Sequence, residues 1–135
     1  MPELPLPKMT PAEAAKERIV RPWGHYKVLD HGPGFLVKAL LVKGKQRLSL
    51  QRHQHRDEQW TVAMGIAVAS VNGQKVELRP GQTLHIPRGA AHRIANPAEA
   101  PMVFIEVQTG EDLREDDIER LEDDYGRLSS EKDRP

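Results

Sequence analysis

From Val20 to Gln108 the chain is cut into short runs rich in Val, Ile and Leu, each bounded by Gly, Pro or Asn. Runs this short and this closely spaced read as strands, with no room between them for the helices of βαβ units. Strands are expected over 25–30, 35–42, 46–53, 59–64, 66–71, 74–78, 83–86, 91–95 and 101–108. Asn72-Gly73 is a strong hairpin signal, because a two-residue type I′ turn needs two residues that tolerate positive φ. Pro80-Gly81 marks another turn. The chain is therefore expected to be all-β, a barrel or a sandwich.

The flanks have a different texture. Residues 1–9 are Pro-rich, and Thr10-Pro11-Ala12-Glu13 combines an N-cap, a proline at the first helical position and a capping-box acid. This predicts an arm and short helix over 1–19, ahead of a barrel over 20–110. In 111–135, Ile118, Leu121 and Tyr125 recur at helical spacing, which predicts a C-terminal helix over 114–125 docked on the barrel.

Charge and composition narrow the function classes. Lys+Arg 20 and Asp+Glu 20 cancel over the whole chain. The balance is uneven, however: residues 1–110 carry 15 basic and 9 acidic side chains, and residues 111–135 carry 5 and 11. The acidic tail reads as a solvated segment; the sharper alternative is a basic cavity that receives an anionic small molecule while the tail stays outside. A neutral total argues against nucleic acid as a partner. With no cysteine, thiol nucleophiles, disulfides and iron–sulfur clusters are excluded. No apolar run approaches about 18 residues, and the N-terminus lacks the apolar stretch of a signal peptide. A cytoplasmic protein without membrane contact is expected.

The chemistry concentrates in the segment from Arg47 to Trp60. On a strand, side chains two apart share a face, so Arg47, Ser49, Gln51 and His53 fall together while Leu48 and Leu50 point away. A polar face of this kind lines a cavity or meets water. If it lines a cavity, Gln51, His53 and a returning Glu58 form a nitrogen and oxygen set suited to a divalent metal. A solvent-facing turn with no function is the other reading. The leucine face turned from the cavity predicts a homodimer in which a partner's strand or arm covers it, with packing on the chain's own second sheet as the alternative. Trp23 and Trp60 read as wall packing, and Met64 and Met102 fit the core pattern.

A second segment, Gly81-x5-Pro87-x-Gly89-x2-His92-x3-Asn96, sets breakers around one histidine. With Gln51-x-His53-x4-Glu58-x6-Gly65, it resembles the paired motifs of the cupin family, small jelly-roll β-barrels built as a double-stranded β-helix around a metal. The resemblance implies Gln51, His53, Glu58 and His92 as ligands of one divalent ion, with zinc ahead of manganese, iron, cobalt or nickel. Gln51 stands where the family usually has histidine, and His55 is the rival for a ligand place.

The order Arg21-Pro22-Trp23-Gly24, 47–60, 86–96, 105–110 and 115–127 further resembles the C-terminal cupin domain of type II phosphomannose isomerases, over about residues 21–127. That implies interconversion of mannose 6-phosphate and fructose 6-phosphate, a proton transfer between neighbouring carbons. No Gly-rich phosphate loop is present, so guanylyltransferase activity is not expected. Candidate catalytic groups are His55, Arg56, Glu58 and His85; candidate phosphate groups are Lys38, Arg47, Arg56 and Arg88. Gln59 replaces the histidine that the family pattern places before Trp60, which predicts slowed turnover that Gln59→His would restore. Two other classes stay open: a binding module that keeps metal and sugar phosphate without turnover, and a different cupin enzyme such as an iron oxygenase.

Overall fold

The structure, a computed structural model, describes residues 18–128. Eleven strands form two antiparallel sheets. The first sheet holds β1 (Arg18–Arg21), β2 (Gly24–Gly32), β3 (Phe35–Val42), β5 (Asp57–Met64), β8 (Thr83–Ile86) and β10 (Met102–Thr109), in the order β1-β2-β3-β10-β5-β8. The second holds β4 (Leu50–Arg52), β6 (Ala67–Val71), β7 (Gln74–Leu78), β9 (His92–Ala95) and β11 (Glu119–Glu122), in the order β11-β4-β9-β6-β7. The expected hairpin closes at Asn72 and Gly73, both with positive φ. No described helix is long and apolar enough to cross a membrane.

The inner rows of the first sheet explain how one fold holds both a core and a cavity. Leu40, Phe104 and Val62 are paired across β3, β10 and β5 and are buried, with Val42 and Met102 one row further on. Two residues the other way, the same row becomes Lys38, Glu106 and Trp60, and beyond it Gln108 pairs with Glu58. The inward side therefore changes from apolar to ionisable within a single strand. Ile86, Ile94, Ala67 and Ala69 close the apolar half from the other elements. Gly24 permits the tight entry to β2, because a Cβ there would overlap the Leu41 carbonyl oxygen.

Several expectations change. The C-terminal helix does not form. Residues 119–122 instead pair with β4 as an edge strand, with Glu119 opposite Arg52 in an ion pair and Arg120 opposite Gln51. Ile118 turns to the cavity and Leu121 to solvent, so tertiary pairing overrides the helical spacing. The expected N-terminal helix lies outside the described residues, except that its end is β1, a strand absent from the expected set. Residues 46–49 are not regular strand; only Arg47 makes a bridge, to Ala95. Strict alternation fails there, and Leu48 packs in the core beside buried Ser49. Leu48 therefore offers no face to a second copy. Met64 is exposed at 48%, whereas Met102 is buried as expected.

Candidate metal centre

His53 directly follows β4, Glu58 is the second residue of β5 and His92 begins β9, so three elements deliver three side chains to one point. All three are buried, and one ligand atom from each lies within 4.8 Å of the others. His53 Nε2 is 3.1 Å from Glu58 Oε2, and His92 Nε2 is 3.7 Å from Glu58 Oε1. Both rings are oriented from behind: His53 Nδ1 donates to the Asp117 carbonyl at 2.6 Å, and His92 Nδ1 to the Ala90 carbonyl at 2.9 Å. These bonds place the proton on Nδ1 and turn each Nε2 lone pair toward Glu58, the arrangement that metal-ligating histidines require. His92 Nε2 is buried without a hydrogen-bond partner. An orphaned imidazole nitrogen beside a second one and a carboxylate fits a divalent cation.

The electrostatics agree. Burial lowers the His92 pKa against the pull of Glu58, which keeps its imidazole neutral near pH 7. Burial opposes the charge on Glu58, but the His53 ring beside it, the nearby His92 and a hydrogen bond with Glu106 hold the carboxyl well below its ordinary value. Arg56, also buried, donates from Nε to Glu58 Oε2 at 2.9 Å, and its Nη2 lies 3.2 Å from His53 Nε2. The guanidinium thus occupies lone pairs on two of the three candidate ligands. Trp60 Nε1 donates to Glu58 at 3.1 Å and to Glu106 at 3.2 Å, so this tryptophan organises the site as well as packing the wall. Glu106 also accepts from Gln108 Nε2 at 2.9 Å; burial and the Glu58 charge push its pKa up to about 8.

Two of the three, His53 and Glu58, line a cavity of about 170 Å³. Gln51 lines it, opposite His92 in the ladder. Lys38 and Arg56 line it too; Lys38 is 5% exposed, with Nζ 2.7 Å from Glu115 and 4.5 Å from the Tyr26 ring centre. The other nominated residues lie elsewhere. Arg47 forks onto Asp124 at 2.7 and 2.9 Å, because the irregular 46–49 segment turns it outward. Arg88 is bound to Asp57 on the outer side, and His85, 3.6 Å from the same carboxylate, is exposed. His55 is exposed at the tip of the turn, where parity no longer applies. Gln59 is exposed on the outer face of β5, between His85 and Val107, while its neighbours Glu58 and Trp60 point inward. A histidine at position 59 would not reach the cavity, which removes the expectation of proton transfer from that position.

Arg21, Glu106, Glu115, Arg120 and Arg127 also line the cavity and were not nominated from the sequence. Glu106 had a readable signal, since it continues the inward row of Met102 and Phe104. The arginines carry no such signal: Arg21 and Arg120 sit on short edge strands without an apolar alternation, and Arg127 lies beyond β11.

Asp117 anchors the C-terminal segment over this site. Its carboxylate accepts the backbone N–H groups of Gln54 and His55, both at 2.9 Å, while its carbonyl holds His53. Burial raises its pKa, but the two N–H donors outweigh that and leave it lowered. A lowered folded pKa gives stability that is present above the unfolded value of about 3.9 and is lost as pH falls through the folded value. Asp117→Asn is therefore expected to cost about 1–3 kcal/mol at pH 7, with the gap from wild type closing in acid. Urea denaturation at both pH values measures it.

Two antiparallel sheets closed around a buried His–Glu–His group define a cupin-type barrel. A cupin-2 domain protein from Rhodospirillum rubrum shares the fold with a TM-score of 0.60 and 23% identity, over 67% of this chain and 62% of that one. Within the class, residues 10–123 match the family described as the mannose-6-phosphate isomerase C-terminal region, and the chain belongs to that family. It is 49% identical over 111 residues to the alginate biosynthesis protein AlgA of Pseudomonas aeruginosa, across 82% of this chain and 23% of that protein. It is 43% identical over 110 residues to the mannose-1-phosphate guanylyltransferase ManC of Salmonella typhimurium, with the same two coverages. The chain thus spans about a quarter of the length of these relatives.

Proposed function

We propose that the chain is a metal-dependent sugar-phosphate isomerase acting on mannose 6-phosphate and fructose 6-phosphate. The observation that carries this reading is the His53–Glu58–His92 group, with both rings oriented by backbone carbonyls and His92 Nε2 left for a ligand, beside a cation-lined cavity that His53 and Glu58 border. Membership in the isomerase family supports it. His53, Glu58 and His92, with Gln51 beside them, would hold the metal. A bound divalent ion supplies Lewis acidity toward oxygens on the reacting carbons.

The chain's own residues do the rest. Lys38 and Arg56 give the cavity fixed positive charge, which favours an enediolate over the neutral sugar. Glu106, in the wall beside Trp60 and Gln108, is the buried cavity carboxyl outside the metal group and is the residue placed to carry the proton between carbons. His55 and His85, exposed outside the cavity, take no part.

A coupled assay converting mannose 6-phosphate on metal-reconstituted protein tests the proposal. Turnover that disappears with chelator supports it; loaded protein that binds the sugar phosphate without converting it supports the binding-module reading instead. Because position 59 faces away, Gln59→His is expected to leave both rate and metal content unchanged. A large gain in rate from that substitution would contradict the assignment of the proton path.

A further inference from the structure

A phosphate-bearing substrate needs an anion site, and two of the four nominated cations lie away from the cavity. Arg47 and Arg88 meet carboxylates outside the cavity, and Lys38 and Arg56 meet Glu115 and Glu58 within it. Three other guanidinium groups line the same cavity: Arg21 at the end of β1, Arg120 in β11, and Arg127 beyond it. The ladder gives their place relative to the triad. Arg120 is paired opposite Gln51, and Gln51 opposite His92. Directly paired residues project to one face, so Arg120 stands two strand spacings, roughly 10 Å, from His92. It belongs to the cavity's other end.

Holding like charges together is unfavourable, and the molecule fixes them nonetheless. Asp123 grips Arg127 through Nε at 2.9 Å and Nη2 at 3.2 Å. Arg21 lies over the Tyr26 ring, 5.4 Å from its centre, with Nη2 3.5 Å from the hydroxyl. Burial lowers the pKa of Arg120, and the charges of Arg127 and Arg21 lower it further against the pull of Asp123. Among the described lining residues five basic side chains face three acidic ones. Planar forks pre-positioned around a surplus of positive charge match the tetrahedral oxyanion of a phosphoryl group.

We infer that Arg21, Arg120 and Arg127 form a phosphoryl-binding site at the end of the cavity opposite the His53–Glu58–His92 group. The inference rests on the isomerase reading only for what the ligand carries at its other end. In a hexose 6-phosphate the reacting oxygens and the phosphate lie at opposite ends of the carbon chain, so one molecule can engage both sites.

Titration of metal-free protein with inorganic phosphate, followed by calorimetry at low salt, tests the site without involving the metal. Wild type is expected to bind, Arg120→Gln and Arg21→Gln each to weaken binding roughly 10- to 100-fold, and Arg88→Gln to bind as wild type does. Near-UV circular dichroism checks that the variants fold; Arg21→Gln, at the exposed rim, keeps the test decisive if Arg120→Gln does not. Wild type that fails to bind phosphate, or arginine variants that bind it unchanged, would overturn the inference. Arginine-dependent phosphate binding without conversion of mannose 6-phosphate would uphold it and reject the isomerase reading.

Discussion

Replacing Arg56 with methionine is expected to destabilise the metal-free protein by about 3–5 kcal/mol, the usual cost of leaving a buried charge without its partner. Arg56 donates to both Glu58 and His53, and all three side chains are buried. Without the guanidinium, Glu58 loses the permanently charged partner bonded to it. A divalent cation restores the balance, so the loss in Arg56→Met should largely vanish when metal is added, through binding to the native state alone. Its metal affinity should also rise, because the wild type must give up the Arg56 bonds to two ligands on loading. Chemical denaturation with and without zinc measures both effects. Equal destabilisation in the two conditions would mean that Arg56 serves packing rather than charge.

Glu106→Gln should lower turnover of mannose 6-phosphate by roughly 10²- to 10⁴-fold, the usual worth of one general acid–base group. The amide keeps the size of the side chain and an oxygen to accept from Trp60 Nε1, so folding and metal content should survive. The loss should fall on kcat, since the proton moves in the transition state and not on binding. Initial rates across substrate concentration separate the two. A variant as fast as wild type would leave the proton to another group.

The strand texture of the middle of the chain was enough to read the barrel, because Gly, Pro and Asn set turn positions locally and the sheets follow. Strands 35–42, 74–78 and 83–86 coincide with their expected bounds. The candidate ligands His53, Glu58 and His92 were legible because short motifs place them near turns whose geometry is local. The cavity wall was not. Arg47 and Leu48 exchanged sides because 46–49 departs from strand geometry, so counting by twos failed there. The terminal arginines depend on β1, a short edge strand that folds back on β2 through the turn at Pro22-Trp23, and on β11, an edge strand made by long-range pairing with β4. The 114–125 segment carries a helical pattern that only the clamp of Asp117 on residues 54 and 55 and the pairing of β11 could overrule. Gln59 shows the reverse case: alternation on β5 is regular, and with Glu58 assigned inward it already placed the next residue outside.

The central claim is that His53, Glu58 and His92 form a metal site. Elemental analysis of chelator-stripped protein re-equilibrated with zinc, wild type beside His92→Ala, tests it most directly. The account predicts close to one ion per wild-type chain and little in the variant, with thermal stabilisation by zinc in the wild type alone. A wild type that stays empty, or a variant that loads equally well, would contradict it.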